Sequence, residues 1–189
     1  VVELTHSTTS DYSTLTVRGG TYFAIKRQPP LDQPFLVALA SVADTRTERV
    51  VVDPNAIDPS GPTSMDFYVP SRDGSRIAVS LSRGDSEEGT LHLYDAHTGA
   101  ALPDTIPFAN NGTAGGSAAW DASGTGIYYT RLPHPGERPE ADLPFYQQIY
   151  YHRLGTSFTS DTYILGREFP KIAEVELESE TAEVNRPPW

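Results

Sequence analysis

Five histidines, together with serines and aspartates elsewhere, are the side chains of this sequence that could take part in hydrolytic catalysis. They are His6, His92, His97, His134 and His152. A serine nucleophile needs a histidine base and a carboxylate that orients it, and many hydrolases present that serine in a Gly-x-Ser-x-Gly turn. No such turn occurs in the sequence, so we expect no catalytic residue in this chain.

The surroundings of the histidines favour structural or surface positions. His92 and His152 fall in near-equivalent strand segments, where a structural role is expected. His97 lies in a turn-like run, and we expect His134, in the Pro-rich loop Leu132–Pro144, to be solvated. No two histidines are spaced as a metal-binding pair on a helix, so we expect no metal site, and no motif indicates a cofactor.

The acidic clusters are also expected at the surface. The run 85–89 lacks the ligand spacing of an EF-hand loop and is predicted to be a solvated hairpin. Residues 83–85 read Arg-Gly-Asp, which in an acidic turn is more often coincidence than integrin recognition. Glu174, Glu176, Glu178 and Glu180 alternate along the sequence, which predicts one solvent-facing side of an extended segment.

Composition excludes several classes of partner. The 189 residues include 25 acidic and 14 basic side chains, a formal charge of −11 that would repel a phosphate backbone. We therefore expect no nucleic acid partner. No stretch approaches the roughly 20 apolar residues of a membrane helix, and the first ten residues do not resemble a signal peptide. The absence of cysteine leaves a cytoplasmic and a periplasmic location equally open.

The chain is punctuated by 15 Gly and 16 Pro, which divide it into short segments with the alternation and composition of β-strands. The only helical candidate is a single turn near Asp53–Asp58. The predicted strands are Tyr22–Lys26, Phe35–Ser41, Arg49–Asp53, Asp66–Val69, Arg76–Leu81, Thr90–Tyr94, Ala118–Trp120, Gly126–Thr130, Gln148–His152 and Thr162–Leu165.

An internal repeat organises these strands. The run 18–25 aligns with 72–79 at an offset of 54 positions, and 122–129 aligns a further 50 along. Each copy places a Gly-containing turn before an apolar strand, and glycine supplies the positive φ that a tight hairpin turn requires. The later segments 35–39, 89–93 and 148–152 repeat too. Units of about 50 residues with four strands have the size of a propeller blade.

The sequence thus predicts an all-β fold, a partial β-propeller of about three four-stranded antiparallel blades. We expect an N-terminal segment 1–17, blades over 18–177 with repeats starting near 18, 72 and 122, and a tail 178–189. The segment Ile172–Leu177 is a candidate for opening another blade. Because closed propellers have about four to eight blades, three blades would leave uncovered faces and edges.

An ordered set of segments resembles the propeller of the prolyl oligopeptidase family, from about Val17 to Leu177. The segments are Val51–Asn55, Ser71–Ser82, Thr90–Asp95, Leu102–Ile106, Ser117–Trp120, Ile127–Arg131 and Gln148–Thr156. The resemblance implies a serine peptidase that cleaves short peptides after proline, with a seven-bladed propeller capping an α/β-hydrolase domain. It also implies that the catalytic Ser, Asp and His lie in that domain, C-terminal to the propeller.

The loop Asn110–Ser117 is the candidate for substrate contact. In the family that this chain resembles, the segment before the Trp-containing strand faces the active-site cavity, which implies that Asn111, Gly115 and Gly116 face substrate. The loop carries no large apolar residue to pack on a peptide, so a plain flexible loop is the alternative. Residues 111–113 also form an N-glycosylation triplet.

Two hypotheses follow. The first is a non-catalytic propeller portion of a prolyl oligopeptidase-like serine endopeptidase, which gates access of short proline-containing peptides. Its partners would be the missing α/β-hydrolase domain and the remaining blades. The alternative is a non-enzymatic propeller-like binding module that pairs its exposed blade edges with itself or with a partner.

Overall fold

Twelve strands form three separate four-stranded antiparallel sheets in the computed structural model, which describes residues 9–84, 86–112 and 114–178. Sheet 1 contains β1 (Asp11–Arg18), β2 (Thr21–Arg27), β3 (Phe35–Leu39) and β4 (Arg49–Val52). Sheet 2 contains β5 (Thr63–Pro70), β6 (Arg76–Arg83), β7 (Gly89–Asp95) and β8 (Ala101–Asn110). Sheet 3 contains β9 (Ala118–Trp120), β10 (Gly126–Arg131), β11 (Gln148–Arg153) and β12 (Thr162–Leu165).

Each sheet is a meander whose spatial order follows the sequence. The predicted all-β architecture of three four-stranded blades is therefore confirmed. Every predicted strand overlaps a strand of the structure, and the helix α1 (Pro54–Ile57) forms at the predicted turn, where the Asp53 carboxylate accepts the backbone N–H of Asn55. The remaining helical segments among the described residues are single 3-10 turns at 45–47, 140–142 and 158–160.

Two strands, β1 and β8, were not predicted. β1 is mostly exposed, and all of it except its final residue, Arg18, lies in the segment 1–17 that was expected to precede the blades. β8 contains Pro103 and Pro107, which read as strand breakers. Both are edge strands, where an irregular backbone or a missing N–H costs no ladder hydrogen bond on the outer side. The positions near 18, 72 and 122 fall at the turns between first and second strands; the domain boundaries stay a prediction.

Apolar side chains pack the sheets face to face. Phe23 and Leu36 of sheet 1 share a buried cluster with Ile77 of sheet 2, while Leu93 of sheet 2 shares another with Ile127 of sheet 3. Each fully buried side chain of this size contributes roughly 1.5–3 kcal/mol to folding. Alternation along β2 and β3 directs a third cluster to the face of sheet 1 that is turned away from sheet 2; it contains Ala24, Phe35, Val37 and Leu39.

The first hairpin turns of neighbouring sheets interlock. Gly19 lies so close to the turn of sheet 2 that a Cβ there would come 1.8 Å from the carbonyl oxygen of Asp73, and Gly74 faces the Arg18 carbonyl in return. The guanidinium of Arg76 donates across the next junction to the Gly124 carbonyl at 2.9 Å. These contacts of the hairpin turns fix how successive sheets stack.

After β12 the chain makes two turns, at 166–169 and 170–173, and residues 174–178 form no described strand. Glu174, Glu176 and Glu178 are exposed, as their alternation predicts, whereas Val175 and Leu177 are partly buried. The Leu177 backbone N–H donates a hydrogen bond to the hydroxyl of Ser117, which lies just before β9. That Ile172–Leu177 opens a further blade stays a prediction.

Candidate functional site

The loop between β8 and β9 carries the three residues predicted to face substrate. Asn111 is buried, and its side chain is used within the loop: Nδ2 donates to the Gly115 carbonyl at 2.9 Å and Oδ1 accepts from the Ala114 N–H at 3.0 Å. The Gly115 N–H donates in turn to the Asn111 carbonyl at 2.8 Å. Asn111 therefore shapes the loop, and its amide is not free for a ligand in this arrangement.

The two glycines face different surroundings. Gly115 has a φ of +63°, and a Cβ there would meet open space. Gly116 is pressed against the chain, because a Cβ would come 2.2 Å from the Ala109 carbonyl and 2.8 Å from the Phe67 ring. Gly115 is thus the member of the trio with free space beside it. Contact of Asn111, Gly115 and Gly116 with substrate stays a prediction.

Gln147, just before β11, anchors this loop and was missed by sequence analysis. Its side chain is completely buried; Oε1 accepts from the Val175 N–H at 2.7 Å and Nε2 donates to the Gly115 carbonyl at 3.2 Å. One side-chain amide therefore connects the β8–β9 loop to the segment after β12. A glutamine in a Pro-rich region carries no sequence signal of such a role.

A groove of about 940 Å³ opens beside the loop. We call it the Phe108 groove. Its apolar lining comes from Phe108, Leu132, Pro133, Leu143, Pro144 and Phe158, and its acidic side from Glu87 and Glu88.

Phe108 is held in the groove by an unusual backbone conformation. Its φ is +61°, which non-glycine residues rarely adopt, and its side chain remains 44% exposed. The ring lies edge-on to His134, with centroids 5.3 Å apart. Such strain costs of order 1–3 kcal/mol and is concentrated at functional sites.

His134 is partly buried, so the expectation that it is solvated was wrong: Phe108 packs against its ring. Burial, with the nearby Arg131 charge, lowers the pKa of His134 below 6.5. Within the described parts of the chain, its Nε2 atom is buried without a hydrogen-bond partner. An unpaired buried polar atom costs roughly 1–3 kcal/mol.

The loop after β10 is held firmly beside the groove. The Arg131 guanidinium donates to both carboxylate oxygens of Glu137, at 2.8 and 2.9 Å, and stacks 3.8 Å from the Tyr150 ring centre. The Arg131 hydrogen bonds, opposed in part by burial, lower the pKa of Glu137 to about 2. Glu137 also accepts the His134 N–H at 2.8 Å, so this carboxylate sets the path of the loop.

The acidic side of the groove is formed by the turn between β6 and β7. Asn110 donates to the Glu87 carbonyl at 3.2 Å, and the Glu87 carboxylate lies against Gly112. Both Glu87 and Glu88 are exposed, as predicted, and neither carboxylate forms an ion pair with a described residue. Asp85, Thr113 and Glu180 lie outside the described residues, so the Arg-Gly-Asp and glycosylation motifs are only partly described.

His152 is the centre of a buried polar network. Its Nδ1 lies 2.7 Å from Asp161 and its Nε2 lies 3.2 Å from Asp104 of sheet 2, while Tyr129 donates to Asp161 at 2.9 Å. Burial disfavours the charged imidazole, but the hydrogen bonds and charges of Asp161 and Asp104 outweigh it and raise the pKa of His152 above 6.5. Both ring nitrogens face aspartates, which is the arrangement of a structural network.

The other histidines lie apart from this network. His92 is in β7, where burial lowers its pKa, and His97 is in the exposed turn after β7, where its N–H donates to Asp95. His6 lies outside the described residues. In the ranges that the structure describes, no three acidic or histidine side chains are grouped to hold a metal ion. No helix in the same ranges has the length and apolar character that crossing a membrane requires.

Comparison with protein-family models identifies the family of this chain. Residues 4–181 match the family model of the prolyl oligopeptidase N-terminal β-propeller domain. A prolyl endopeptidase of Elizabethkingia meningoseptica is 27% identical over 128 residues, covering 65% of this chain and 17% of the relative. Prolyl oligopeptidase A of Galerina marginata is 27% identical over 141 residues, covering 66% of this chain and 19% of the relative.

Solved structures show the same relationship. A structure from a mechanistic study of two prolyl endopeptidases superposes with a TM-score of 0.72 at 26% identity, covering 85% of this chain and 23% of the other. Prolyl oligopeptidase B from Galerina marginata, bound to a hydrolysis and macrocyclization substrate, shares the fold with a TM-score of 0.67 at 17% identity, covering 84% and 24% of the two chains. The chain thus spans about a quarter or less of these relatives. It belongs to the prolyl oligopeptidase family and is formed from that family's N-terminal β-propeller domain.

Proposed function

We propose that this chain is the non-catalytic propeller portion of a prolyl oligopeptidase-like serine endopeptidase and that it gates the access of short, proline-containing peptides. The observation that carries the proposal is the succession of three stacked blades that matches one part of a much longer propeller enzyme. In the parent enzyme an activated serine would be acylated by the peptide, with an oxyanion hole stabilising the intermediate. Those groups would belong to the missing hydrolase domain.

The outer face of sheet 1 supports the presence of further blades. The apolar cluster on that face borders a hollow of about 400 Å³ between β1 and β3. Leu15 and Val42 line the hollow and are 57% and 56% exposed. Another blade packed on this face would remove these side chains from water, as sheet 2 does for Phe23 and Leu36 on the opposite face.

The substrate-facing role of the β8–β9 loop is part of this proposal. Gly115 leaves open space beside the loop, and Asn111 and Gln147 hold its backbone in place. A peptide passing this loop would meet backbone groups and a firm surface. Gating by size then follows from the shape of the passage and needs no catalytic side chain in these blades.

The test starts from the native protein. An antibody raised against this chain is used to isolate it from its source cells after treatment with a serine-reactive fluorophosphonate, and the denatured mass is measured. A labelled species much heavier than 20.6 kDa is expected. An unlabelled species of 20.6 kDa contradicts the proposal.

Gating is tested separately on the same enzyme isolated without fluorophosphonate treatment. A short proline-containing peptide should be cleaved, whereas the same sequence placed in a loop of a folded protein should resist cleavage. Equal specificity constants for the two substrates would contradict the size filter while leaving the peptidase assignment intact.

A second candidate function is a non-enzymatic module that self-associates. The exposure of Leu15 and Val42 on the outer face of sheet 1 favours it. Sedimentation equilibrium of the isolated chain tests this candidate: a discrete oligomer that Leu15→Ser dissociates supports it, and a monomer at all concentrations excludes it.

A further inference from the structure

We propose that the Phe108 groove binds an extended basic peptide segment. The preferred substrates are then peptides that carry lysine or arginine close to apolar residues. This inference rests on the proposed function for the claim that peptides reach this face. The groove has apolar side chains on one side and, on the other, two carboxylates that form no ion pair with a described residue. The predicted substrate contact of the β8–β9 loop gave no indication of this groove.

The charges around the groove determine which sign of charge the bound peptide should carry. Two nearby cations already have anionic partners: Arg131 is bonded to Glu137 and Lys171 to Asp142, each at 2.8 Å. Glu87 and Glu88 have none among the described residues. The chain as a whole carries a formal charge of −11, so a cationic peptide is attracted and an acidic one is repelled.

The shape of the groove favours an extended chain. Phe108 and Phe158 provide exposed aromatic surface, and Pro135 and Pro144 provide rigid apolar surface beside it. Aromatic-lined grooves of this kind bind extended, proline-containing peptides, whose low conformational entropy reduces the loss on binding.

The lining is also preorganised. The Arg131–Glu137 pair fixes the loop on one side, while the Asn110 side chain ties the Glu87 backbone to the other. Because the walls are ordered before binding, little further entropy is lost there. The acidic turn and the apolar loop are therefore presented together to a peptide.

Binding is tested with this chain and two fluorescein-labelled peptides in an anisotropy titration. One peptide is rich in Lys, Pro and Leu, and the other has Glu in place of each Lys. Saturable binding of the Lys peptide, weakened by added salt, is expected. Binding should weaken about fivefold to tenfold in the double variant Glu87→Gln/Glu88→Gln, the scale of two exposed charge pairs. The control Glu168→Gln/Glu176→Gln removes the same charge outside the groove and should leave the affinity unchanged.

Phe108→Asn tests the apolar part. Asn tolerates a positive φ, so this variant removes the ring while the backbone is retained; binding should weaken about fivefold. If Phe108→Asn fails to fold, the exposed glutamate variants still decide the matter. Equal affinity for the two peptides, or equal loss in both glutamate pairs, would overturn the inference. If the peptide binds but the native protein is not labelled by the fluorophosphonate, the groove inference stands and the peptidase assignment falls. If the native protein is labelled but the peptide does not bind, the peptidase assignment stands and the groove inference falls.

Discussion

His152 of β11 lies 3.2 Å from Asp104 of β8 through its Nε2 atom, so a buried imidazole joins the third sheet to the second. Its other nitrogen reaches Asp161, which also accepts the Tyr129 hydroxyl. The junction between the two sheets is thus partly polar and dependent on ionisation.

We expect the free energy of unfolding to fall as the pH rises through the raised pKa of His152. The folded state holds the proton more tightly than the unfolded state, whose pKa is near 6.5, so this contribution is fully present below pH 6.5 and lost above the folded pKa. Replacing His152 with Leu leaves two buried aspartates without it and should lower the free energy of unfolding by about 3 kcal/mol.

Urea unfolding followed by far-UV circular dichroism at several pH values checks this. His92 and His134 have lowered pKa values and act in the opposite sense, so the wild type is compared with His152→Leu rather than judged alone. His97→Gln, in an exposed turn, is the control and should keep the wild-type slope. An identical pH slope in His152→Leu would disprove the role of this histidine.

Gly19→Ala should be far more damaging than Gly20→Ala. Both residues have positive φ, which costs an alanine roughly 1–2 kcal/mol. Only at Gly19 would the new Cβ come 1.8 Å from the Asp73 carbonyl oxygen, so we expect a loss of about 3 kcal/mol or more there. Thermal unfolding of the two variants measures the difference; similar losses would mean that the turns do not interlock as described.

Gln147→Leu should release the β8–β9 loop without disturbing the distant turns. Leucine cannot accept the Val175 N–H or donate to the Gly115 carbonyl. Amide hydrogen exchange at Val175 is therefore expected to accelerate at least about tenfold, since about 1.4 kcal/mol of protection corresponds to that factor. The Thr125 N–H, which donates to Asp121, is the internal control, and unchanged exchange at Val175 would refute the anchoring role.

Arg131→Lys should destabilise the fold by about 1–2 kcal/mol although the charge is kept. Lysine cannot reproduce the two-pronged bond to Glu137 or the flat stacking on Tyr150. Arg46→Lys is the matched control: Arg46 is 89% exposed and paired with Asp44 at the surface, so a change within about 0.5 kcal/mol is expected. Urea midpoints compare the two variants, and equal shifts would contradict the prediction.

The sequence revealed the blades because local chemistry determines them. Gly74 and Gly124 mark equivalent hairpin turns, and the alternation after each turn predicts the strand that follows. Pro103 and Pro107 hid β8 because the tolerance of an edge strand for proline depends on its place in the sheet, which becomes visible only after the strands are ordered.

The candidate site was less accessible to sequence reasoning. Phe108 has a positive φ, and no local sequence motif indicates this conformation. Asp104 meets His152 across 48 positions of sequence, and Glu87 reaches the groove through sheet packing. Such contacts between distant residues depend on how the blades stack. Only the β8–β9 loop was therefore predicted, and that prediction came from the family resemblance.

The indole of Trp120 makes blade assembly directly observable. It is 5% exposed and donates from Nε1 to the Val69 carbonyl at 2.9 Å, so it lies across the seam between the second and third sheets. The chain has two tryptophans, and the other, Trp189, lies outside the described residues. With Trp189 replaced by Phe, the emission maximum becomes an optical reporter of one seam, and stopped-flow refolding can time the docking of the third sheet on the second separately from the formation of the sheets.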